Sequence, residues 1–218
     1  MGKFGKCACS PIMMSQQEYK NHCIIQRECQ VTKMCKAISK IKNMSAQELL
    51  RFCGQENAVP VDLKAVLKKV GISALPRDFS SIENKSKSNA KILGALVAIE
   101  EDAVIFYNKN DLEDGHRYRF TIAHELGHCC LAHTCLDSPN GIHIELRMEG
   151  NSILPEEKAA NTFAGELLIP YDSLMRVIDE LILPSVRILA DIFAVSENVM
   201  LARLKHLNIS RNIIGYNY

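Results

Sequence analysis

The sequence predicts an α+β fold in which a small, mostly antiparallel sheet packs on one central helix and a run of shorter helices follows. Three observations predict it. Two short β-rich runs flank an acidic turn at residues 100–102, an apolar segment of helical period carries two histidines four apart, and prolines bound the helical stretches after residue 155. At 218 residues, with 47% hydrophobic and 23% charged side chains, the chain has an ordinary globular composition and room for one buried domain plus an appendage.

The net charge of +1 gives no general attraction to nucleic acid or to an anionic membrane. The distribution is uneven, because residues 1–44 hold eight Lys and Arg against only Glu18 and Glu28. These residues read as a basic, cysteine-containing N-terminal appendage. No apolar leader follows the first lysines, so the nine cysteines are expected to be reduced and the protein cytoplasmic. No apolar run approaches the roughly 20 residues of a membrane span. Met1 to Lys6 resembles the start of a myristoylation signal, but Lys6 stands where that signal wants Ser or Thr.

A weakly patterned helix is expected from about Gln16 to Ile41, and Cys23, Cys29 and Cys35 recur at intervals of six that match no common zinc knuckle. Ser45-Ala46-Gln47-Glu48 is a capping box opening a helix toward Phe52, with Gly54 ending it. A second helix follows, with Pro60 near its first turn, Val61, Leu63, Val66, Leu67 and Val70 on its apolar side, and Gly71 after its end. Residues 78–90 read as loop. Ile92 to Ile99 and Ala103 to Tyr107 form a hairpin around Glu100-Glu101-Asp102. A helix runs from about Tyr118 to His133, with Thr121 as its expected cap, and a polar loop at Asp137 to Gly141 follows. Ile142 to Leu146 alternates as a further strand. The next helix opens at Pro155 and stops before Pro170. Three shorter helices are expected at 171–182, 185–194 and 197–207. The last two resemble a helix-turn-helix hairpin, in which only Arg203, Lys205 and His206 offer charge for DNA, so a packing role is preferred.

Residues 124–128 read His-Glu-Leu-Gly-His, an instance of H-E-x-x-H. Positions four apart on a helix are offset by only about 40°, so His124 and His128 can present their imidazoles to one ion. Glu125 lies about 100° round and can reach a water on that ion, whose acidity zinc would raise, making Glu125 the expected general base. The surrounding Phe120, Ile122, Ala123, Leu126 and Leu131 are apolar, so the polar triplet needs compensation that a metal would supply.

Catalytic zinc takes three protein ligands, and the third has to come from elsewhere. The metzincin continuation is excluded because Leu131 and Thr134 stand at its Gly and His positions. His133 lies roughly 140° from His128 and reads as a surface or supporting residue. Cys53 lacks the context of the cysteine ligand of peptide deformylases. The helix opened by Pro155-Glu156-Glu157 offers a carboxylate. Glu157 shares a face with Asn161, Ala164 and Leu168, whereas Glu166 falls about 180° away and is expected to be solvated. Spacing favours Glu157 and leaves Glu156 open.

Three blocks together resemble the ImmA/IrrE family of metallopeptidases across about residues 45–207. They are Arg119 to Ala123 leading into the H-E-x-x-H motif, the run from Glu157 through Ala160-Asn161 and Phe163-Ala164 to Pro170, and Leu189-Ala190 through Phe193 and Val195-Ser196 to Arg203-Leu204. The resemblance implies a compact zincin-like domain at 45–183, followed by an HTH-like extension at 184–218 packed on it. It implies His124, His128 and Glu157 as ligands of one Zn2+, with Mn2+ also acceptable, and Glu125 as the catalytic base. It further implies a zinc-dependent endopeptidase that cleaves a helix-turn-helix transcriptional repressor. The alternative is a metal-stabilised anti-repressor that sequesters its regulator without cutting it. Direct DNA binding is disfavoured. His143, Arg147 and Tyr171 are noted for oxyanion stabilisation, and Cys129-Cys130 are expected to be buried and inert.

Overall fold

The computed structural model describes residues 35–84, 91–99, 102–112, 115–132, 142–148, 154–209 and 213–216. The start of the helix expected from Gln16, and most of the N-terminal cysteines, lie outside these residues. Within them, helix α1 (Lys36–Ile41) buries Ala37, Ile38 and Ile41 in the main core, against the third helix, the central helix and one strand. Part of the segment read as an appendage therefore contributes to the core.

Helix α2 (Ala46–Cys53) opens on the expected capping box. Ser45 Oγ accepts the Glu48 amide at 3.2 Å, and the Glu48 carboxylate accepts the Ser45 amide at 2.8 Å. Gly54 closes the helix at φ 66°, the left-handed position that favours glycine. Helix α3 (Leu63–Val70) starts later than Pro60 suggests. Asp62 caps it, accepting the amides of Lys64 and Ala65, so Pro60 and Val61 precede the helix.

Strand β1 (Ile72–Arg77) is absent from the sequence expectation. Four of its last five residues are exposed, and Pro76 interrupts its pattern, as suits an edge strand. A short helix α4 (Ser80–Glu83) occupies part of the expected 78–90 loop. Strands β2 (Ile92–Ile99) and β3 (Asp102–Asn108) form the expected hairpin, with Ile99 across from Asp102. A 3-10 turn follows at Lys109–Leu112. Strand β4 (Ile142–Met148) pairs antiparallel with β2. The four-stranded order is β1-β3-β2-β4, with β1–β3 parallel and the other two pairs antiparallel.

The central helix α5 (Arg117–Cys130) lies against β2 and β3 and crosses α6 (Pro155–Leu168). Thr121 is not its cap. The helix begins a turn earlier, at Arg117, and Thr121 is buried inside it. His133 and the polar loop at 137–141 lie outside the described residues. Glycine sets both close approaches of α5. A Cβ on Gly94 of β2 would lie 2.6 Å from Thr121 Cγ2, and one on Gly127 would lie 3.2 Å from the Ala160 carbonyl oxygen of α6. Helix α7 (Tyr171–Glu180) follows, then α8 (Val186–Phe193) and α9 (Glu197–His206), capped by Ser185 and Ser196. Helix α9 contacts α8 and α6.

Candidate metal centre

His124, Glu125 and His128 are carried by α5 at a level where every residue from Thr121 to Cys130 is buried. That burial follows from the helix being covered by the sheet on one side and by α6 on another. Both imidazoles turn their Nε2 atoms to one point, 2.9 Å apart. From the first turn of α6, Glu157 brings Oε2 to 3.3 Å of His124 Nε2 and Oε1 to 3.3 Å of His128 Nε2. Two donors about 2.0–2.1 Å from a tetrahedral ion stand about 3.3–3.4 Å apart, so each His–Glu distance, one to either carboxylate oxygen, is compatible with a shared ion, and the His–His distance of 2.9 Å is closed relative to it. Among the described residues these three form the one cluster able to hold a metal ion. Two imidazole nitrogens and one carboxylate suit a borderline divalent cation.

The electrostatics agree. Burial pushes the Glu157 carboxyl up, but the hydrogen bonds and charge of His124 and His128 outweigh it and hold the group well below the usual carboxylate range. Glu157 is therefore ionised and available as a ligand. Glu156, left open by spacing, is exposed and has no place in the cluster, while its neighbour points inward.

Asn161, one turn after Glu157, was placed on the ligand face by the helical wheel, but its task becomes visible only in three dimensions. His124 Nδ1 donates to Asn161 Oδ1 at 2.9 Å. An amide oxygen can only accept, so Nδ1 carries a proton, and in the neutral ring Nε2 keeps its lone pair facing the cluster. Glu125 is 1% exposed. Its Oε1 lies 3.5 Å from where a Cβ on Gly94 would stand, so the carboxylate lies between α5 and β2, on another side of the helix from Asn161.

Other expectations resolve plainly. The Glu166 side chain is 40% exposed, as expected, and its Oε1 also stands 3.5 Å from Arg203 Nη1. Arg203 is buried and its Nε donates to the Ile169 carbonyl, so it is unavailable to read a nucleic acid. Cys129 and Cys130 are both fully buried, and burial pushes the Cys130 thiol up to about 12. Tyr171 is half exposed and lines a different cleft, with Arg51 and Glu56. The backbone register sets His143 across from Ala98 and Arg147 across from Gly94.

A protein-family model described as the IrrE N-terminal-like domain of the peptidase family Peptidase_M78 matches residues 68–205, well over half of the chain. The chain belongs to the ImmA/IrrE family of metallopeptidases. No curated protein and no solved structure matches it. The ImmA/IrrE match spans β1 through α9 and includes all three cluster residues and Glu125. Membership makes the chain a peptidase with a protein substrate, and His124, His128 and Glu157 could hold its metal. No helix among the described residues of this ImmA/IrrE member is long and apolar enough to cross a membrane.

Proposed function

We propose that this protein is a zinc-dependent endopeptidase whose ion is held by His124, His128 and Glu157, with Glu125 as general base. The single observation that carries the reading is the convergence of those three donors, within 4.8 Å of one another, from two crossing helices. A zinc ion there supplies Lewis acidity, drawing electron density from the scissile carbonyl and acidifying water, and Mn2+ can substitute in the same donor set. Glu125 accepts the proton of the attacking water and returns it to the leaving amine. Its position one residue on from His124, about 100° round the helix, supports this role. Asn161 keeps His124 in the tautomer that ligation requires.

The fold reading is a zincin-like domain at 45–183, to whose core α1 lends Ile38 and Ile41, and an HTH-like helical extension at 184–218. Contact of α9 with α6 supports an extension packed on the catalytic unit. The substrate is a helix-turn-helix repressor, cut at one site in the cytoplasm. Nucleic acid is not a partner, in keeping with the net charge of +1 and the burial of Arg203. The test is incubation of the purified zinc-loaded chain with a repressor encoded beside it, with and without chelator. A new repressor fragment that needs metal supports the reading. Repressor inactivation that survives the nearly isosteric Glu125→Gln points instead to sequestration without cleavage.

A further inference from the structure

Phe120, His124 and His128 of α5, with His116 at its N-cap, recur at intervals of four and form a stripe that winds about 40° per step, and Glu157, Asn161 and Gly165 do the same on α6. The metal cluster occupies one end of this double stripe. At the other end a cleft of about 470 Å³ opens, lined by Phe120, Asn161 and Gly165 and closed on its far side by Val199, Ala202 and His206 of α9. A second cavity of about 280 Å³ shares Phe120, Asn198 and Val199 with it and extends to His116. The two cavities thus adjoin the helices that carry the cluster, reaching it through Asn161, which bonds His124, and one wall of both belongs to the C-terminal hairpin.

Two features say what the groove accommodates. Gly165 lies in the interior of α6, where glycine costs about 0.5–1 kcal/mol relative to alanine. Nothing in the backbone requires it, since an added Cβ would meet only Arg203 Cδ, at 3.8 Å. Glycine there leaves the floor of the cleft open. The lining carries apolar side chains at Phe120, Val199 and Ala202 beside the buried Arg203, and amide side chains, Asn161 and Asn198, that can bond a peptide backbone.

We infer that this cleft is a substrate subsite, taking a large apolar side chain of a polypeptide beside the scissile bond, and that α9 makes the C-terminal hairpin a determinant of specificity. The inference rests on the peptidase reading above. Phe120 stands between the cleft and the cluster, its ring centroid 6.5 Å from that of His124, which sets the subsite next to the ligands. From His124 to His116 the helix rises about 12 Å, the span of three or four extended residues. Recognition therefore extends several residues from the cut.

The test profiles cleavage of a peptide library, prepared by digesting a whole proteome, by the zinc-loaded full chain and by two cleft-filling variants. Ala202 is exposed on α9, so Ala202→Trp narrows the outer wall without entering the core, and Gly165→Leu raises the floor. The wild type is expected to prefer Leu, Met or Phe over Ala at one position near the cut. Either variant should cut that preference by about tenfold or more, with zinc stoichiometry and melting temperature of Ala202→Trp retained. A wild type that binds zinc but cuts no peptide overturns the peptidase reading itself. A wild type that cuts, with an unchanged profile in both variants, overturns the subsite alone.

Discussion

Gly127 of α5 faces the Ala160 carbonyl of α6 so closely that a Cβ on residue 127 would stand 3.2 Å from that oxygen and 3.2 Å from Phe163 Cβ. This contact sets the distance between the helix that carries two imidazoles and the helix that carries the carboxylate. Gly127→Ala gains helix propensity yet forces the pair apart by a few tenths of an ångström, and the rigid backbone oxygen decides the sign. We expect a loss of about 1–3 kcal/mol of stability and weaker metal binding. Gly165→Ala, with only Arg203 Cδ at 3.8 Å, is expected to gain about 0.5–1 kcal/mol. Denaturant melts of the two variants check the opposite signs.

Asn161 orients His124 from outside the ligand set. Asn161→Leu removes the acceptor while keeping the volume, and metal affinity should fall about 10–100-fold with the fold intact. Competition against a chromophoric chelator measures it, with circular dichroism as the control. Unchanged affinity removes the orienting role.

The two adjacent glutamates separate cleanly. Glu157→Gln should abolish tight metal binding, whereas Glu156→Gln should leave it unchanged, because only Glu157 reaches both Nε2 atoms. Metal content after gel filtration reads the difference.

Cys130 offers a pH prediction. Its folded thiol is pushed up to about 12, by burial first and by the neighbouring Cys53 second, from an ordinary value of 9.0. A raised thiol favours the neutral form in the folded state. The stability tied to it is thus present below pH 9 and lost as pH rises from 9 toward 12. Cys130→Ala should flatten the alkaline limb of the stability profile relative to the wild type. Iodoacetamide at pH 8 should leave Cys130 unmodified in the native protein, as read by peptide mass spectrometry.

Much of the centre was legible because its signals are local. The two histidines follow from one helix period, while spacing narrows the downstream carboxylate to Glu157 with Glu156 left open, and the family resemblance favours Glu157. The hairpin β2–β3 announced itself by alternation around an acidic turn. What was not legible depends on partners distant in sequence. Strand β1 is mostly exposed and contains Pro76, and it becomes a strand only by pairing parallel with β3. The contribution of α1 to the core requires α3, α5 and β3 to be in place around Ile38 and Ile41. Thr121 carries a strong capping preference, yet burial against the Cα of Gly94 overrides it. The Arg203–Glu166 contact joins helices 37 positions apart, which a wheel drawn on one helix cannot show.

The most direct test of the centre is X-ray absorption at the zinc edge of the full chain loaded with one equivalent of Zn2+. A shell of nitrogen and oxygen at about 2.0–2.1 Å is expected, with imidazole scattering from two histidines and loss of the bound ion in Glu157→Gln. A shell containing sulfur at about 2.3 Å, or a spectrum that Glu157→Gln leaves unchanged, contradicts it.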